Sequence, residues 1–152
     1  MSMNYSAWGS FTVAANKTGL YFVNGNTQPR RLFLYDCLWG AQGTPGDQAA
    51  EFQVRRITAE NMTPGGAAVT PFPVDQANPA AQSNGVEACT GEPTYASGAA
   101  LEMSLNQRAP FRWVLHPGRE CVASASNDAG WGIICNAVTS GWVCSLTMLY
   151  SE

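Results

Sequence analysis

The sequence predicts an all-β fold, a single antiparallel β-sandwich over residues 1–152 with about eight strands in jelly-roll order. Three observations predict it. Apolar residues recur at every second position in several short runs, the spacing of a strand with one face inward. Gly, Pro and Asn pairs separate those runs at turn-like intervals. No run carries the 3.6-residue apolar period of an amphipathic helix of ordinary length.

The elements follow in chain order. A loose extended run lies near Ala7 to Ala14. The next, Leu20-Tyr21-Phe22-Val23, ends at Asn24-Gly25, a pair that tolerates positive φ and so favours a turn. Arg30 to Trp39 is the clearest strand. It is apolar on both faces through Leu32-Phe33-Leu34-Tyr35, which predicts a core on one side and a second packed surface on the other. Gly40 to Asp47 holds Gly43, Pro45 and Gly46 and reads as a loop. In Glu51 to Ile57, Phe52 and Val54 alternate with polar neighbours. Thr58 to Gly98 then carries five of the nine prolines and reads as a long, ordered, proline-rich loop. Within it, Asn78-Pro79 would start a short helical turn over Asp75 to Gln82.

Strands return in the last third. Leu101, Met103 and Leu105 point inward along one run, and Phe111, Trp113 and Leu115 along the next. Runs at Glu120–Ala125, Gly130–Ala137 and Trp142–Tyr150 follow, the last with Cys144, Leu146 and Met148 on one face. Turns at Ala109-Pro110, Pro117-Gly118, Asn127-Asp128 and Ser140-Gly141 divide them.

Composition narrows function. A chain of this length can bury roughly 70% of its unfolded surface without disulfides or metals. Charged residues make up 12% of the chain, about half the usual ~25%, so the surface is weakly hydrated and suited to lasting contact with a partner. The net charge is -3 and the eight Lys and Arg are scattered, which argues against nucleic acid and anionic lipid as partners. No apolar run approaches the ~20 residues of a membrane-spanning helix. The Met1 to Tyr5 start has neither a positive region nor an apolar stretch, which predicts synthesis and folding in the cytosol.

The residues offer little chemistry. His116 is the single histidine and precedes Pro117-Gly118, so it reads as a turn residue; no Gly-x-Ser-x-Gly elbow presents a nucleophile. Glu60, Asp75, Glu87 and Glu92 fall in the proline-rich loop and read as solvated charges. Gly65-Gly66 lacks the lysine of a phosphate loop. The cysteines Cys37, Cys89, Cys121, Cys135 and Cys144 match no zinc spacing and read as buried hydrophobes, with a paired or metal-binding cluster of Cys121, Cys135 and Cys144 as the other reading. Trp8, Trp39, Trp113, Trp131 and Trp142 read as core and interface anchors, with a sugar-stacking platform as the alternative. No catalytic residue, metal or cofactor is expected.

An ordered series of short motifs adds to this reading. Arg30-Arg31-Leu32 is followed by Pro73-Val74-Asp75, Asn78-Pro79-Ala80-Ala81 and Gly91-Glu92-Pro93-Thr94. Then come Phe111-Arg112-Trp113, Pro117-Gly118-Arg119-Glu120 and the closing Tyr150-Ser151-Glu152. Over residues 28 to 152 the series resembles a group of small virion structural proteins of tailed bacteriophages. The resemblance implies a jelly-roll-like capsid cement or decoration protein, not an enzyme, on the outer surface of the head. It implies the major capsid protein as partner and a dimer or trimer as the assembled form. The cysteine content departs from that pattern. Partner contacts are expected from the N-terminal residues and the long loop, at Tyr5, Trp8, Met62, Pro64, Phe72, Pro73 and Tyr95. The alternative is a host-recognition or carbohydrate-binding module of a tail fibre, since sandwiches also serve as lectins.

Overall fold

The computed structural model describes residues 3–25, 27–60, 65–139 and 141–152. These residues are all-β, with thirteen strands in two antiparallel sheets packed face to face. The strands are β1 (Asn4–Thr12), β2 (Lys17–Asn24), β3 (Leu32–Ala41), β4 (Ala49–Ala59), β5 (Ala67–Val69), β6 (Phe72–Pro73) and β7 (Ser83–Glu87). They continue with β8 (Thr94–Tyr95), β9 (Leu101–Asn106), β10 (Phe111–Val114), β11 (Cys121–Ala123), β12 (Gly130–Val138) and β13 (Val143–Ser151).

The first sheet runs β10-β3-β13-β1-β6, with β11 also on β3. The second runs β5-β7-β2-β12-β4-β8, with β9 also on β4. Without β11 and the short strands of residues 65–98, the body of the first sheet is β10-β3-β13-β1 and that of the second β2-β12-β4-β9. In chain order these are the sixth, third, eighth and first strands, facing the second, seventh, fourth and fifth.

The period-two pattern places the core. Tyr5, Ala7 and Phe11 of β1 and Cys144, Leu146, Met148 and Tyr150 of β13 are buried against Leu20, Phe22, Phe52, Val54, Ile133 and Cys135 of the second sheet. Tyr150 stacks on Phe22 with ring centroids 4.0 Å apart, joining the two layers. Two irregularities keep the pattern in phase. In β3 the register against β13 slips at Tyr35, so Leu32 and Leu34 point inward before it and Cys37 and Trp39 after it. In β2 the register against β12 slips at Gly19, where a Cβ would lie 2.4 Å from the Phe11 ring and 2.6 Å from Leu146. Only glycine leaves room there for the facing sheet.

Residues 65–98 differ from the expected loop. They supply β5, β6, β7 and β8, which extend the second sheet at both ends and add β6 beside β1. The expected helical turn at Asp75 to Gln82 is absent. Asp75 instead folds an Asx turn, its Oδ1 accepting from Ala77 N at 2.9 Å and its carbonyl from Asn78 N at 3.0 Å.

The same residues also lie over the outer face of the second sheet. There Tyr21, Val23, Ile57, Val86 and Cys89 form a second buried cluster with Tyr95 packed on it. Strand β2 is therefore buried on both faces from Thr18 to Asn24. The sequence predicts this double covering for β3. In β3 the outer residues Phe33, Tyr35 and Leu38 are only half-buried, because no described segment of the chain crosses that face.

Candidate interaction surface

The outer face of the first sheet can be built row by row from the strand register. One row crosses five strands as Phe72, Ser6, Leu149, Asp36 and Val114; the next holds Trp8, Thr147, Leu38 and Arg112. Directly opposed residues share a face, and diagonal aromatics lie within reach of each other. Phe72 opposes Ser6, so it is the diagonal neighbour of Trp8 on the same outer face. Trp8 is 62% exposed and Phe72 64%.

The large exposed hydrophobics of the described residues are Trp8, Phe72, Val74, Val114 and Val143. Val143 is on the outer side of β13, and Val74 follows β6, its N–H bonded to Asn4 O at 2.9 Å. All five therefore belong to the outer face or edge of the first sheet. Single exposed hydrophobics are ordinary; here all of them share one face, with Trp8 and Phe72 adjacent.

The face is nearly neutral. Asp36 is 2% exposed and is covered by Arg112, whose Nη2 lies 2.5 Å from Oδ2 and whose Nε lies 3.1 Å from both carboxylate oxygens. This fork ties β10 to β3 and cancels the one acid buried in the row. Two shallow hollows flank Trp8. One, of about 200 Å³, lies toward Gln42 and Ser145; the other, of about 240 Å³, lies toward Ala68 and Thr70. Glu87 borders both and accepts from Ser10 N at 2.6 Å, which satisfies an N–H on the open edge of β1.

The expected partner residues divide. Trp8 and Phe72 come together here, one from the N-terminal strand and one from the long excursion. Pro73 is half-buried and pairs with Tyr5. Tyr5 itself is a correction: it is fully buried, since the β1 alternation turns it inward beside Tyr150, and its hydroxyl donates to Pro79 O at 3.1 Å. Tyr95 is half-buried and lies away from Trp8 and Phe72. It packs on the second sheet, its hydroxyl 2.7 Å from Thr18 Oγ1 and its ring under the Arg55 guanidinium at 5.2 Å. Met62 and Pro64 lie outside the described residues.

The covered face contains a polar cluster that sequence reasoning missed. Glu92 accepts from Thr18 N at 2.9 Å and from Thr18 Oγ1, and Lys17 Nζ stands 3.6 Å from its other oxygen. Tyr21 donates to Glu60 at 2.9 Å. Glu60, Glu87 and Glu92 are thus not simple solvated charges: Glu60 ties the end of β4 to β2, and Glu87 and Glu92 fasten residues 65–98 to β1 and β2. Burial, reinforced by Glu60, pushes the Tyr21 hydroxyl well above the ordinary tyrosine range. Burial beside Glu92 pushes the Cys89 thiol up to about 12.

All five cysteines are free thiols. Burial raises Cys135 to about 11 and Cys144 to about 12, the opposite of an activated nucleophile. Among the described residues no group of three His, Cys, Asp or Glu side chains could hold a metal ion. His116 lies in an exposed turn, its Nδ1 2.8 Å from Pro117 O. Trp8 is the exposed member of the five tryptophans; Trp39 and Trp131 are buried, and Trp113 and Trp142 pack half-buried on the core. Among the described residues no helix is long and apolar enough to cross a membrane. Comparison with protein-family models, with curated proteins and with solved structures finds no match.

Proposed function

We propose that this protein is a structural docking module of a phage particle, a decoration protein that binds the head through the outer face of its first sheet. The observation that carries the reading is the gathering of every large exposed hydrophobic of the described residues on that one face, with Trp8 and Phe72 adjacent. The 1-8-3-6 and 2-7-4-5 strand orders support reading the sandwich as a jelly roll. The capsid as partner rests on the resemblance over residues 28 to 152.

The energetics suit a clamp. Aromatic side chains bury about 150–250 Å² each, so the exposed parts of two rings amount to about 250 Å². At about 25 cal/mol per Å², covering them yields about 6 kcal/mol before the cost of association. A ligand that binds the assembled shell adds its binding free energy to that state, and many copies repeat the gain around the head. The tail-fibre carbohydrate reading calls for several tryptophans on one shallow surface, and Trp8 stands there without another.

The test is cosedimentation with heads assembled without this protein. The wild type is expected to pellet with them. Trp8→Ser with Phe72→Ser should bind at least about 100-fold more weakly, as two hot-spot aromatics would. A correctly folded wild type that stays in the supernatant overturns the reading.

A further inference from the structure

A second surface lies across the first sheet from Trp8, with β13 and β3 between them. Two hollows meet where β11 approaches the end of β4. The larger, of about 560 Å³, is lined by Arg31, Arg56, Thr58, Ser124 and Ser126 among others. The smaller, of about 410 Å³, adds Ser97 and Trp131, and both share Arg56 and Val122. Each has the size of a small-molecule site.

The charge there runs against that of the molecule. The net charge is -3, yet no Asp or Glu lines either hollow. Three other cations are spent elsewhere, Lys17 on Glu92, Arg112 on Asp36, and Arg55 on the Ala96 carbonyl and the Tyr95 ring, while Arg30, Arg108 and Arg119 line neither hollow. Arg31 and Arg56 have no carboxylate partner among the described residues. Arg31 is steadied by stacking over Phe33, 5.5 Å from the ring centroid. Two guanidiniums without an acid present paired donors that match a carboxylate or phosphate.

Polar groups beside them extend the match. The Ser124 and Ser126 hydroxyls lie 2.8 Å apart, which leaves one hydroxyl proton and several lone pairs for a ligand. Trp131 is 7% exposed, and its indole N–H is buried with no partner among the described residues. The N–H has no surface open to the hollow, so Trp131 borders the site with its ring and its indole signal reports occupancy rather than a bond to the ligand.

We propose that this groove binds a small oxyanion carrying hydroxyl groups, of the class of sugar acids and sugar phosphates. Arg31 and Arg56 hold the carboxylate or phosphate, and Ser124 and Ser126 receive the hydroxyls. The site is independent of the docking face and survives if that reading fails.

The experiment is a ¹H–¹⁵N NMR titration of the intact protein at low ionic strength with glucuronate, glucose 6-phosphate, inorganic phosphate and glucose. Glucuronate or glucose 6-phosphate should shift the amides of Thr58, Ser124, Ser126 and Ala129 and the Trp131 indole signal saturably. Phosphate should shift the same amides more weakly, and glucose should leave them unmoved. Arg31→Gln with Arg56→Gln, exposed positions whose loss leaves the rest of the spectrum in place, should weaken binding at least about tenfold. The proposal fails if no oxyanion gives saturable shifts, if glucose shifts the groove equally, or if the double variant binds as the wild type does. A response to phosphate and both sugar anions alike confines the site to the oxyanion and overturns the hydroxyl assignment.

Discussion

The two outer faces of the sandwich are treated differently by the same chain. Over the second sheet, residues 65–98 fold back, bury Tyr21, Val23 and Ile57 against their own Val86, and fasten themselves with Glu92. Over the first sheet nothing described is laid down, although Phe33, Leu38, Leu149, Trp8 and Phe72 lie on it. On the proposed reading, the covered face serves the chain's own stability and the open one contact with a partner. Stability should therefore concentrate on the covered face and binding on the bare one.

The contrast breaks most sharply at matched truncations. Ile57 is outward-facing on the second sheet but 1% exposed, and its replacement by Ala should cost about 2–4 kcal/mol in urea unfolding. Val114 is outward-facing on the first sheet and 59% exposed, and Val114→Ala should stay within about 0.5 kcal/mol. Equal costs would show that the excursion does not seal the second sheet.

Adding an atom probes the same seal. A Cβ on Gly132 would lie 2.7 Å from the Tyr95 hydroxyl, 3.1 Å from Tyr21 Cβ and 3.3 Å from Ile57 Cδ1. Gly132→Ala should lower stability by about 1–3 kcal/mol through overpacking. It should also speed proteolysis within residues 65–98, as the excursion is pushed off its sheet.

Alkali should loosen the covered face. The Cys89 thiol and the Tyr21 and Tyr95 hydroxyls are raised chiefly by burial, so the folded state holds protons that the unfolded chain has released. Their contribution is complete below the unfolded values, near 9 for the thiol, and is lost as pH rises toward the folded value of about 12 for Cys89. Each such group removes about 1.4 kcal/mol per pH unit inside its window. Chemical denaturation at stepped pH should show stability flat below about pH 8.5 and falling above it. A stability that rises with pH there would contradict these burials.

The smallest effect is expected where binding is expected to be largest. Trp8→Ser with Phe72→Ser should change unfolding free energy by no more than about 0.5 kcal/mol, because neither ring is packed into the core. A large loss of stability would mean that the two rings belong to the fold rather than to a partner.

Much of this architecture is legible in the residues. Phe52/Val54, Leu101/Met103/Leu105 and Cys144/Leu146/Met148 face inward as their period predicts, because a strand's alternation is local and needs no knowledge of its neighbours. What cannot be read is non-local. Prolines in residues 58–98 suggest a loop, but Ser83–Glu87 finds a partner in β2 and becomes part of a sheet. Tyr5 and Trp8 look alike as N-terminal aromatics, and only the register against β13 sends one inward and the other out. The apolar outer side of β3 signals a second packed surface, but sequence cannot say whether the chain or a partner supplies it. Arg31 and Arg56 are 25 residues apart and carry no motif; their convergence on one groove appears only after β3, β4 and β11 are placed.

The most direct test of the division between the two faces is a cryo-electron-microscopy map, at side-chain resolution, of phage heads incubated with the protein. The account predicts that the outer face of β1, β13 and β3 lies against the shell with Trp8 and Phe72 in the contact, while residues 65–98 stay folded on the second sheet. A map in which Trp8 and Phe72 face solvent and the contact is made by the second sheet would contradict it.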